Sequence, residues 1–128
     1  MTNETITMEL AIEKARRVHK HSVTGMMKSI KIHQYGNTSV LNLESSFIPL
    51  PAADEVLIKV HACGVNPIDW KLREGYLKDL IHQNMPFISG CDVSGTVVNT
   101  GILVGSFEKG DKVFARTDFS RNGCYAEY

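Results

Sequence analysis

The run Val56-Leu57-Ile58-Lys59-Val60-His61-Ala62 constrains this chain most, because β-branched residues at alternating positions fit a pleated, half-buried strand and little else. The strand is expected to stop at Gly64 and turn through Asn66-Pro67. Pro67 suits the first turn of a helix, where its missing N–H costs nothing, and Ile68 to Arg73 then allow one or two turns before Gly75. The reading is of a strand that delivers a polar turn to a surface.

The flanking sequence reads as more sheet. From Lys28 to Tyr35, Ile30 and Ile32 alternate with Lys and His and give a strand with one wet face. Gly36-Asn37 turns the chain, Val40, Leu41 and Leu43 continue it, and Pro49-Leu50-Pro51 blocks further regular pairing. Tyr76 to Asn84 reads as a second, weaker helix with Leu77, Leu80 and Ile81 on one side, stopped by Pro86. Val93, Val97 and Val98 build another strand, Gly101 and Gly105 punctuate a loop, and Val113–Ala115 and Tyr125–Tyr128 are expected to finish the sheet. Many short strands with glycine turns predict a mainly β, β-rich α+β fold of barrel-like form with short helices.

Residues 1–25 differ in character. Thr7 can cap a leader helix in which Met8, Ala11, Ile12, Ala15 and Val18 or His19 recur at helical spacing, with Gly25 as its stop. A length of 128 residues allows one domain beside this leader, placed at 26–128. Lys plus Arg equals Asp plus Glu at 14 each, so there is no basic field to collect the phosphates of a nucleic acid. No apolar run reaches the roughly 18 residues of a membrane span, and the polar start is not a signal peptide; the expectation is a soluble, cytoplasmic protein with no membrane partner. Cys63, Cys91 and Cys124 are too far apart for a Cys-x-x-Cys knuckle and too few for a disulfide framework, which leaves reduced, mostly buried thiols.

Four ordered segments carry a resemblance over roughly residues 28–128. They are Val60–Gly75, Pro86–Val98, Gly110-Asp111-Lys112-Val113-Phe114-Ala115-Arg116 and Gly123-Cys124-Tyr125-Ala126-Glu127-Tyr128. Together they resemble the catalytic domain of medium-chain dehydrogenase/reductases, in the zinc-independent branch of quinone oxidoreductases and NADP-dependent enone reductases. The resemblance implies a GroES-like, partly open β-barrel. Zinc-dependent relatives hold their metal with a cysteine just after this strand and a Gly-His-Glu segment on the return strand; here the positions are Asn66-Pro67-Ile68-Asp69 and Gly90-Cys91-Asp92. No metal is expected. Cys91 reads as core and Asp92 as a turn or strand-end hydrogen-bonder.

Asn66 admits two readings. Its carboxamide can donate and accept without adding charge, which suits the positioning of a redox pair, or it can simply make an Asx-type turn before Pro67. The resemblance places it beside the nicotinamide, as a catalytic and cofactor-binding residue with Pro67 and Asp69 as its neighbours at the cofactor. Asp69 either orients Asn66 or caps the short helix. Tyr76 can donate to a developing oxyanion or serve as an interfacial or core tyrosine. Relatives often carry that tyrosine one residue later, with another where Lys71 stands.

The sequence has no Gly-x-Gly-x-x-Gly and no alternating βα units, so the nucleotide-binding Rossmann half that follows in the family is not found. The expectation is a fragment: the substrate-side domain of an NADPH-dependent oxidoreductase acting on a small-molecule quinone or enone, inactive by itself. A homodimer is compatible with the resemblance. The alternative is a non-catalytic GroES-like interaction module from a truncated gene, distinguished by the DNA downstream of Tyr128.

Overall fold

The computed structural model describes Glu13 and residues 23–128. The leader-helix expectation for residues 1–25 therefore lies outside the described residues, apart from Glu13, which is helical, Val23, Thr24 and the bend at Gly25 that opens the first strand. In chain order the elements are β1 (Met26–Ile32), a 3-10 turn (Thr38–Val40), β2 (Leu41–Phe47), β3 (Val56–Gly64), α1 (Pro67–Glu74), β4 (Phe87–Ile88), β5 (Asp92–Thr100) and β6 (Lys112–Arg116). They form two antiparallel three-stranded sheets, ordered β2-β1-β4 and β3-β5-β6.

β5 is the centre of the second sheet and alternates strictly: Val93, Gly95, Val97 and Asn99 are buried while their neighbours are half-exposed. That period of two is what a strand with one covered face requires. In the first sheet Ile32, fully buried, packs with Val40 and Phe87. Ile30 is only half-buried, whereas Met27 and Ser29 on the opposite face of β1 are buried. Ser29 tolerates this because its hydroxyl pairs with that of Ser46 at 2.6 Å.

The C-terminal segment joins the sheets. The Ile30 N–H donates to the Tyr125 carbonyl at 2.8 Å, the Glu127 N–H to the Lys28 carbonyl at 3.1 Å, and the Val60 N–H to the Glu127 carbonyl at 2.9 Å. The expected strand Tyr125–Tyr128 is accordingly reduced to one bridge, Ser29 with Ala126. Its hydrogen bonds are divided between two sheets, so no ladder extends along either.

The expected helix over Tyr76–Asn84 is also absent; the segment is a series of turns in which the Leu80 N–H donates to the Leu77 carbonyl at 3.0 Å and a single α-type bond runs from Ile81 N–H to the same carbonyl at 2.8 Å. Gly75, left-handed at φ 81°, ends α1, and a Cβ there would meet the Tyr35 ring at 2.9 Å. Leu80 is 83% exposed, so no packed apolar face repays helix nucleation in the short stretch that remains. Between the sheets lies an open groove of about 840 Å³, lined by Met27, Phe47, Leu50, Val56, Ile58 and Val60 among others. The barrel is open on that side.

Candidate active site at the Asn66 turn

The register of β3 with β5 sets Gly64 opposite Asp92, so the turn that follows β3 falls against the start of β5. Asn66 is extended, at φ −118° and ψ 157°, and serves as N-cap of α1, with Pro67 at the first helical position. Its backbone N–H donates to Asp69 Oδ2 at 2.7 Å, half of a capping box. Its side chain is used differently: Nδ2 donates to Asp92 Oδ2 at 2.8 Å and lies 3.6 Å from Cys91 Sγ. A carboxylate only accepts, so the amide nitrogen must face Asp92, and the orientation of the whole carboxamide follows.

Asp69 is buried, and its Oδ2 accepts a second bond from the Tyr125 phenol at 3.0 Å. Burial, then the hydrogen bond to Asp69 and its charge, hold Tyr125 above the ordinary phenol range. Tyr125 in turn rests on Gly90. That glycine is left-handed at φ 98°, and a Cβ on it would stand 2.6 Å from the tyrosine ring and 3.0 Å from Cys63 Sγ.

The cysteines are free thiols. Burial, then Cys124 and Asp69, push Cys63 up to about 12. Burial also raises Cys91, with Asp69 and Asp92 adding to it, and burial raises Cys124. At neutral pH these groups carry their protons and are poor nucleophiles. Among the described residues no group of three or more His, Cys, Asp or Glu side chains is placed to hold a metal ion.

Of the residues singled out from sequence, Asn66, Pro67 and Asp69 share the N-terminal turn of α1, and both alternatives for Asp69 coincide: its carboxylate caps the helix and fixes Asn66. Tyr76 lies past the other end of α1, 70% exposed, with its ring edge-on to Trp70 at 5.6 Å. The core alternative for this tyrosine does not hold. Trp70, with Lys71 Nζ 5.7 Å from its ring centre, and Val65, 84% exposed, complete an apolar rim around the turn. Sequence reasoning missed Tyr125 as the partner of Asp69. Only its place in the Gly123–Tyr128 segment hinted at a role, because the contact spans 56 residues.

The alcohol dehydrogenase GroES-like domain family matches residues 52–128. A quinone oxidoreductase of Sus scrofa is 44% identical over 106 residues, covering 80% of this chain and 30% of the relative. The solved quinone oxidoreductase of Coxiella burnetii is 38% identical with a TM-score of 0.72, covering 80% of this chain and 33% of that one. A mycobacterial structure in complex with NADPH is 37% identical with a TM-score of 0.66, covering 79% and 28%. The chain thus spans about a third or less of the length of these relatives.

Proposed function

This chain belongs to the alcohol dehydrogenase GroES-like domain family, and from that premise we propose that it is the substrate-side domain of an NADPH-dependent, zinc-independent oxidoreductase. Its substrates would be quinones or α,β-unsaturated carbonyls. The observation that carries the reading is the Asn66 carboxamide, held by Asp92 at 2.8 Å beside an exposed apolar and aromatic rim.

The nicotinamide end of the cofactor suits this surface. A flat, neutral ring can pack against Val65 and Trp70 while the half-buried carboxamide of Asn66 holds its polar edge. The phosphate end does not suit it. The first turn of α1 carries Asp69, which opposes an anion at that helix terminus, and the sequence has no glycine-rich loop to cradle a pyrophosphate. That part of the cofactor requires a separate nucleotide-binding domain.

Bound NADPH supplies a hydride to an electron-poor carbon, and the substrate oxygen gains the charge. The chain's own residues orient and stabilise. Asn66 holds the donor ring, its position secured by Asp69 through the backbone and by Asp92 through the side chain. The exposed Tyr76 phenol is available to donate to the substrate oxygen as its charge develops. Asn66 where a zinc-binding relative has a cysteine, and Cys91-Asp92 where it has His-Glu, support a mechanism without metal.

The test is reconstitution: join the chain to the nucleotide-binding domain of a quinone oxidoreductase relative and follow NADPH oxidation with a simple quinone. Saturable, quinone-dependent oxidation above that of the nucleotide-binding domain alone supports the proposal. Equal rates for the two would refute it.

A further inference from the structure

Two buried polar atoms near the Asn66 turn have no protein partner. Asp69, 4% exposed, satisfies Oδ2 twice, but its Oδ1 has no hydrogen-bond partner; Ser89, 5% exposed, has none for its hydroxyl. Both residues line one small cavity of about 10 Å³, with Leu72, Gly90, Cys91 and Thr117 around it. A buried oxygen without a partner forfeits the hydrogen bonds it made in water, so two of them on residues that line the same small space point to a common partner.

The size of that space selects the partner. About 10–15 Å³ of free volume is what one water needs, and a water also needs two to four polar neighbours. A bound metal cation would need four or more ligands, and among the described residues no cluster of three or more His, Cys, Asp or Glu side chains is placed to hold one.

We propose that this cavity is a binding site for a single ordered water. The water donates one hydrogen to Asp69 Oδ1 and accepts the Ser89 hydroxyl hydrogen. The carbonyl oxygens of Ile88 and Ser89, each accepting one backbone N–H, from Gly123 and Tyr125, keep a second lone pair and are the acceptors for its other hydrogen. Ser89 is then a positioning residue: through the water it holds the carboxylate that fixes the Asn66 backbone and the Tyr125 phenol. The inference stands on burial and geometry, independently of the redox reading.

Magnetic relaxation dispersion of solvent water counts long-lived internal waters. The wild-type chain should show a contribution from this site, and Ser89→Val, whose methyl groups fill the cavity, should show one fewer. Electron density of the wild-type protein at about 1.5 Å should show a peak at hydrogen-bond distance from both Asp69 Oδ1 and Ser89 Oγ. This second measurement decides the matter if the variant fails to fold. Equal dispersion in a folded variant, or no such peak in the wild type, overturns the proposal.

Discussion

The phenol of Tyr125 donates to the Asp69 carboxylate at 3.0 Å across 56 residues of sequence, tying the segment that joins the two sheets to the first turn of α1. Asp69 Oδ2 retains the Asn66 N–H when that donor is removed. Tyr125→Phe should therefore leave the fold intact and cost about 1–3 kcal/mol, measured by urea denaturation. A midpoint equal to wild type would show that the bond contributes nothing.

Gly90 is the support beneath that tyrosine. Gly90→Ala meets a left-handed backbone and a Tyr125 ring 2.6 Å from the new Cβ. The expected loss is at least about 2 kcal/mol, from backbone strain of about 1–3 kcal/mol with a steric clash added. Gly105→Ala, with nothing within 4 Å of the added carbon, is the control and should change stability far less. Equal thermal midpoints for the two variants would contradict this account.

Much of this arrangement was legible in the sequence, and the reasons for the gaps are physical. The β3 strand and the Asn66-Pro67 turn into α1 follow from local rules: β-branched alternation, proline at the first helical position, glycine at the end. The burial of Cys91 and the hydrogen bonding of Asp92 also match expectation. The helix over Tyr76–Asn84 did not form, since propensity without an apolar surface to cover is insufficient; Leu80 stays in solvent. Tyr125–Tyr128 has a strand-like pattern yet divides its bonds between sheets, a tertiary fact with no local signature. The Asp69–Tyr125 contact was hidden for the same reason.

Alkaline pH should destabilise the fold through its thiols. Cys63 rises from an ordinary 9.0 to about 12, so between those values the folded state keeps a proton that the unfolded state has lost. That contribution is complete below pH 9 and is lost progressively as pH rises to about 12. Tyr125, also raised, adds a further loss above the ordinary phenol range. Urea midpoints taken from pH 8 upward should fall, and fall less steeply in Cys63→Ser. The same slope in that variant would remove Cys63 from the explanation.

Without a phosphate cradle, the chain alone should bind NADPH only weakly. Micromolar affinity needs roughly 8 kcal/mol, whereas one or two neutral hydrogen bonds at the nicotinamide end supply about 0.5–1.5 kcal/mol each. Calorimetry at micromolar concentrations should give no saturable isotherm. A clear isotherm would mean that this domain holds the phosphates by itself.

The central claim is that the Asn66 carboxamide, fixed by Asp92, positions the reacting partners. It is tested most directly by Asn66→Ala in the chain joined to a nucleotide-binding domain, with kcat/KM for quinone reduction measured beside the urea midpoint. A drop of at least about tenfold, corresponding to about 1.4 kcal/mol of transition-state stabilisation, is predicted for a variant that remains folded. Unchanged kcat/KM in that folded variant would contradict the claim and leave Asn66 as a turn residue.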